Sequence, residues 1–263
     1  MEAERELWVD AATEIVAPAM AEDVVIDLEA AVIDLTIVEP ADELVDITTD
    51  TAHPSRLHAP GWRAVKRAFD VAASLLLILL CLPVMAIIAL AIWSESRSAV
   101  LFVHKRAAGE RGEFGLLKFR TMVPNAHAVL EDHLYRHPEL RDEWIRTFKL
   151  RDDPRITRVG RFLRKTSLDE LPQLFNVLSG KMSLIGPRAI VRDEIPRFGA
   201  HARTVLSVKP GLTGLWAVSG RNDVSQDERS RLEFRYVTQW SLLLDVVILL
   251  RTIPAVVRGR GAY

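Results

Sequence analysis

Between Val71 and Trp93 the chain runs 23 residues without a charged side chain. That is long enough for one helix to cross a bilayer. Pro83 interrupts the run near its middle, where it removes a helical hydrogen bond and favours a break or kink. Each half then holds only 10–12 residues, about 15–18 Å of helix and too short to span alone. A helix that enters, bends at Pro83 and returns fits this pattern. A kinked helix that crosses fits it equally well. A buried soluble helix fits poorly, because the run carries no polar stripe.

The remaining pattern is mixed. Val100–Val103 and Phe114–Phe119 read as short strands joined by the turn Gly109–Gly112. Asn125–Leu150 repeats apolar residues at helical spacing, with an interruption at Pro138. Gly160–Arg164 and Leu171–Leu178 read as helix, and Pro187, Pro196, Pro210, Gly211 and Gly214 mark loops. Trp240–Val257 is strongly apolar but holds Asp245, Arg251 and Pro254, which suits a helix lying at a membrane interface. Before all of this, residues 1–61 alternate short apolar runs with acids and read as a largely disordered arm. The fold expected is α+β and mostly helical. It comprises the acidic arm over 1–61, a membrane helix over 62–98, and a domain over 99–263 with a small β element.

Charge sharpens this division. The formal net charge is −1, but residues 1–61 hold fifteen Asp and Glu against two Arg, a net of −13, and residues 62–263 carry a net of +12. The basic part expects an anionic partner: nucleic acid, anionic lipid or a phosphorylated substrate. Arg63, Lys66 and Arg67 precede the apolar run, and Arg97, Lys105 and Arg106 follow it. The positive-inside rule places both flanks in the cytoplasm, as a re-entrant helix requires. Cys81 is the single cysteine, so no intrachain disulfide or cysteine-based zinc site is expected. Met1–Asp10 is acidic and lacks the features of a signal peptide, so the bulk of the protein is expected on the cytoplasmic side.

The densest chemistry lies between Arg151 and Arg188. Asp169 and Glu170 stand just before Pro172, which is most at home in a first helical turn. A helix start keeps carboxylates ionised and attracts anions. An ionised Asp can attack phosphorus, and a neighbouring Glu can hold Mg²⁺. Ser167-x-x-Glu170 is equally a capping-box pattern, and capping alone explains many such pairs. Arg161, Arg164, Lys165, Lys181 and Arg188 crowd the same stretch and match phosphate oxygens, or else form a solvated or lipid-facing basic surface. Arg164 and Arg188 are the strongest candidates among them. A second cluster, Lys209 to Trp216 followed by Ser219-Gly220-Arg221-Asn222-Asp223, could bring Arg221 to a nucleotide. From spacing alone it reads as a tight hairpin. P-loop, dinucleotide-binding, zinc-protease and serine-hydrolase patterns are absent from the sequence.

The ordered series of motifs resembles the monotopic phosphoglycosyl transferases, or bacterial sugar transferases, from about Lys66 onward. Its markers are Lys66-Arg67-Ala68-Phe69-Asp70, Lys118-Phe119-Arg120-Thr121-Met122, Thr166 to Gln173, Gly186-Pro187-Arg188, Lys209 to Gly214 and Ser219 to Asn222. The resemblance implies a membrane-anchored monotopic enzyme at the cytoplasmic face of the bacterial inner membrane, with a re-entrant helix. Asp169 would attack a UDP-sugar, release UMP and pass the phosphosugar to undecaprenyl phosphate. Glu170 would hold Mg²⁺, Arg164 and Arg188 would bind phosphate, and Arg221 would serve the nucleotide. The C-terminal run resembles the exopolysaccharide and O-antigen branch, which suggests UDP-galactose or UDP-glucose. The implied partners are the two substrates and membrane lipids, without nucleic acid, and a homodimer is compatible with them. One departure is Leu82-Pro83, where many relatives have Ser-Pro. A non-catalytic membrane scaffold and a nucleic-acid-binding protein are the rival readings.

Overall fold

The computed structural model describes residues 55–109, 112–147 and 150–258. The acidic arm lies outside the described residues up to position 54. The first long element, α1 (Pro60–Ser96), begins with Pro60 in its first turn and continues as one helical element through Pro83. It ends where Arg97 turns left-handed and its N–H returns to the Trp93 carbonyl.

Lys66, Asp70, Ser74, Ile78, Met85, Ile88 and Ile92 are the buried residues of α1. Their spacings are multiples of a helical turn, so they form one stripe along the whole helix. The opposite face is left bare: Leu76, Leu79, Leu80, Ile87 and Leu90 are 58–69% exposed. This is the one helix among the described residues long and apolar enough to enter a bilayer.

Both ends of α1 are fastened to the rest of the protein. At its start, Arg67 donates to the carbonyls of Val177 and Leu178 at 2.5 and 2.7 Å. Asp70 accepts from the Ser183 hydroxyl at 3.0 Å and the Leu184 N–H at 3.1 Å. At its end, Glu95 accepts from the backbone N–H groups of Arg158 and Val159 at 2.9 and 3.1 Å.

Two strands follow. β1 (Leu101–Ala107) and β2 (Glu113–Phe119) form an antiparallel ribbon, with Phe102 opposite Lys118 and His104 opposite Leu116. β1 runs four residues beyond its expected end at Val103. Lys105 and Arg106 do not stop it, because a two-stranded ribbon keeps one face in water. Next come α2 (Ala126–Arg136) and α3 (Arg141–Thr147), separated as expected at Pro138. Then follow α4 (Arg158–Thr166) and the short α5 (Gln173–Leu178). Asn176 of α5 pins β2, accepting from the Leu117 N–H at 2.8 Å and donating to the Gly115 carbonyl at 2.7 Å.

The Gly-rich cluster corrects the hairpin expectation. β4 (Gly211–Thr213) pairs in parallel with the distant β3 (Ser183–Ile185). Gly186 N–H donates to the Thr213 carbonyl at 2.9 Å, and Gly211 N–H to the Pro187 carbonyl at 2.7 Å. A Cβ at Gly186, Gly211 or Gly214 would collide with the facing backbone, so glycine is what lets the two segments meet.

The chain closes through a 3₁₀ stretch (Arg192–His201), α6 (Ala202–Leu206), α7 (Leu215–Val218), α8 (Gln226–Thr238) and α9 (Leu242–Arg258). Ile78, Leu174, Val177, Ile185, Tyr236 and Ile248 bring α1, α5, β3, α8 and α9 into one core. Ile88 and Ile92 pack with Phe119 and Leu163 in a second. Between α1 and α9 lies a buried ionic knot. Lys66 Nζ stands 2.8 Å from Asp245 and 3.5 Å from Asp70. Asp245 also accepts from the Tyr236 hydroxyl at 2.9 Å and the Trp240 indole at 3.1 Å.

Candidate active site

The chain reverses sharply after α4. Ser167 adopts a positive φ of 56° and its N–H caps the helix, and Leu168–Glu170 form a single 3₁₀ turn before α5. The turn sets Asp169 and Glu170 against β2, where Lys118 reaches both. Its Nζ lies 2.9 Å from Glu170 Oε1 and 3.6 Å from Asp169 Oδ2. The capping-box reading is not realised: Ser167 makes no side-chain cap bond, and Glu170 bonds Lys118 instead. The left-handed Ser167 cannot present its hydroxyl as an ordinary cap.

Three arginines complete the ring. Arg164, from the last turn of α4, donates through Nε to the Thr121 hydroxyl at 2.9 Å. This approach depends on Gly160, because a Cβ there would strike the Thr121 backbone. Arg188 follows the β3 turn, and its guanidinium rests 5.0 Å from the Trp216 ring centroid. Its backbone N–H donates to Glu233 at 3.0 Å. Arg221 also has a positive φ, 52°, and its Nη1 is 3.5 Å from the Ser167 hydroxyl. Two left-handed non-glycine residues thus face each other at one site, where backbone strain commonly collects.

Asp169, Glu170, Arg164, Arg188, Arg221 and Lys118 all line one cavity of about 910 Å³. One wall is apolar and includes Leu77 of α1 and Leu249 and Ile253 of α9. Arg161, Lys165 and Lys181, grouped with the others in the sequence, do not line it.

Charge within the cavity is uneven. Burial pushes the Asp169 carboxyl above the usual aspartate range; Lys118 opposes the shift and Glu170 adds to it. Burial acts on Glu170 in the same sense, but Lys118, Arg188 and Arg221 outweigh it and hold this carboxyl low. His104 also lines the cavity. Burial, then the charges of Arg106, Lys118 and Arg188, lower its pKa to about 3, so it is neutral.

The donor set bears on magnesium. No group of three or more His, Cys, Asp or Glu side chains is gathered among the described residues. Mg²⁺ often binds through one or two carboxylates, completing its shell with water and substrate phosphate. Adjacent Asp169 and Glu170, with Glu170 favoured as a carboxylate, fit that mode and not an all-protein cage.

Lys118, Thr121, His104, Trp216 and Glu233 were not singled out as site residues by the sequence. For Lys118 a usable signal existed, since its strand lies in one of the marker motifs. The assembled site joins a carboxylate, a cationic surround and an apolar wall beside α1. That combination suits attack on the phosphorus of an anionic substrate with an apolar co-substrate.

The family described as Bacterial sugar transferase matches residues 61–259. A UDP-galactose-lipid carrier transferase of Erwinia amylovora is 47% identical over 76% of this chain and 42% of its own length. An undecaprenyl-phosphate galactose phosphotransferase of Salmonella typhimurium shows the same identity and coverage. The exopolysaccharide production protein ExoY of Sinorhizobium fredii is 44% identical over 75% of this chain and 88% of its own length. The chain therefore spans less than half the length of the first two relatives.

Proposed function

The chain belongs to the bacterial sugar transferase family, and on that premise we propose that it transfers a hexose-1-phosphate from a UDP-sugar to undecaprenyl phosphate. The observation that carries this reading is the single cavity that holds Asp169 and Glu170 among Lys118, Arg164, Arg188 and Arg221 and has an apolar wall beside α1.

The chemistry runs in two displacements. An Asp169 carboxylate oxygen attacks the β-phosphorus of the donor. The bond from that phosphorus to the bridging oxygen breaks, and UMP leaves with the oxygen. An oxygen of the lipid phosphate then attacks the same phosphorus, giving lipid-diphospho-sugar and restoring the Asp169 carboxylate. Lys118, Arg164 and Arg188 offset the repulsion between carboxylate and diphosphate, and arginine forks match phosphate oxygens in pairs. Arg221 serves the nucleotide end. Glu170 would hold Mg²⁺, and the bound ion would supply Lewis-acid stabilisation of the developing charge. The raised Asp169 pKa leaves a more basic, less well solvated nucleophile.

The acceptor's hydrocarbon chain enters beside α1 and α9, at Leu77, Leu249 and Ile253. Both ends of α1 are bonded to the same domain, which supports a helix that dips into the bilayer and keeps both flanks on the cytoplasmic face. Galactose and glucose are the sugars proposed, and the product opens exopolysaccharide or O-antigen assembly. The test is the nucleotide released when detergent-purified protein receives Mg²⁺, undecaprenyl phosphate and each UDP-sugar in turn. Lipid-dependent UMP is the expected product. UDP would mean ordinary glycosyl transfer and would remove the Asp169 mechanism; neither nucleotide across a donor panel would favour the scaffold.

A further inference from the structure

Behind Arg188 lies a buried polar layer outside the cavity. Glu233 of α8 is 1% exposed. One of its oxygens accepts the Arg188 backbone N–H at 3.0 Å, while Oε2 is buried with no hydrogen-bond partner. One helical turn earlier on α8, Arg229 pairs with Glu194 at 3.0 Å. Its guanidinium lies 5.0 Å from the same Trp216 ring that carries Arg188. Arg229 Nε and Trp216 Nε1 are likewise buried without partners. A buried acceptor left unmet is costly, so a core selected for stability alone would place an apolar side chain there.

We propose that Glu233 is a positioning residue: through the Arg188 N–H it holds the Gly186–Arg188 turn, and so sets where the Arg188 guanidinium meets the donor's diphosphate. This rests on the phosphotransfer reading above. Glu233 does not line the cavity. It acts through Arg188.

The same carboxyl gives the arrangement a signature. Burial lifts the Glu233 pKa to about 7, and the Arg188 N–H bond and the charges of Arg229 and Arg188 only partly offset this. The groups facing it are Arg188 from the β3 turn and Arg229 and Tyr236 from α8 itself. Glu194 and His201 of the 3₁₀ stretch act through Arg229 and Ser230. α7 contributes the Trp216 indole and no titrating group. Around neutrality the Arg188 turn is therefore held by a neutral acid in some molecules and a carboxylate in others, and the carboxylate makes the stronger bond.

The experiment measures UMP release against UDP-sugar concentration from pH 5.5 to 8.5 for the wild-type protein, Glu233→Gln and Glu233→Leu. In the wild type the donor KM is expected to inflect near pH 7. Glu233→Gln keeps the acceptor oxygen but cannot ionise, so the inflection disappears. Glu233→Leu leaves the Arg188 N–H unmet, and the donor KM rises about tenfold, more than kcat falls. An unchanged KM and an unchanged inflection in Glu233→Gln would overturn the proposal, whatever happens to the leucine variant. Absence of UMP from the wild type would instead defeat the phosphotransfer reading, and separates the two failures.

Discussion

Asp169 is held where its charge is unwelcome, and stability and catalysis pull on it in opposite directions. Its pKa is raised in the fold, so the folded state binds its proton more tightly than the unfolded chain does. The sign follows: this group's contribution to stability falls as pH climbs from the ordinary aspartate value through the raised one, and stays low above it. Asp169→Asn removes the charge and keeps the shape. At pH 7 it is expected to melt at the wild-type temperature or higher, by thermal unfolding in detergent, while releasing no UMP above background. Substantial residual release would take Asp169 out of the nucleophile role. The acid limb of wild-type turnover should lie above the usual aspartate range. Sequence exposed Asp169, Glu170, Arg164, Arg188 and Arg221 because reactive groups and their turn-forming neighbours are contiguous. Glu233 was hidden for the opposite reason, since it gains meaning only from Arg188, 45 residues away; Lys118 lay in a marker motif, but its role rests on Asp169, 51 residues on.

At the scale of elements, the joint between α1 and α9 should be the most sensitive. Lys66 serves two buried carboxylates, Asp70 and Asp245, and the latter is fully buried. Lys66→Met would leave Asp245 with only the Tyr236 and Trp240 donors. Breaking one side of a buried pair costs about 3–5 kcal/mol, so the variant is expected to unfold well below the wild type. Adding Asp245→Asn should recover part of the loss; no recovery would mean that the charge pairing is not what holds the joint. Most elements here were legible, α1 from its uncharged run and the split at Pro138 from helical spacing. β4 was not, because its three residues carry no pattern of their own. Its identity as a parallel strand depends on β3, which lies 28 residues earlier.

For the molecule as a whole, the bonds at both ends of α1 bear on topology. Arg67 and Glu95 grip the same domain across 28 positions, a run of about 42 Å as straight helix. A domain holding both ends lies along α1, which supports the proposed arrangement on one side of the bilayer. Reporters fused to the two termini are both expected to give cytoplasmic signals. A periplasmic signal from one terminus alone would show a crossing helix. The basic residues on both flanks of the apolar run led to the expectation of this sidedness, but the stripe that α1 buries was masked by its leucines, which look alike in sequence whether they meet protein or lipid.

That stripe has a practical consequence for anyone wanting a water-soluble version. Cutting the chain at Arg97 would do more than remove an anchor. Leu174, Val177, Phe119 and Leu163 would lose the cover of Ile78, Ile88 and Ile92. Asp245 would lose its lysine. Such a truncation is expected to aggregate. A workable route keeps α1 and recolours only its bare side, replacing Leu76, Leu79, Leu80, Ile87 and Leu90 with polar residues and leaving Lys66 through Ile92 of the inner face untouched.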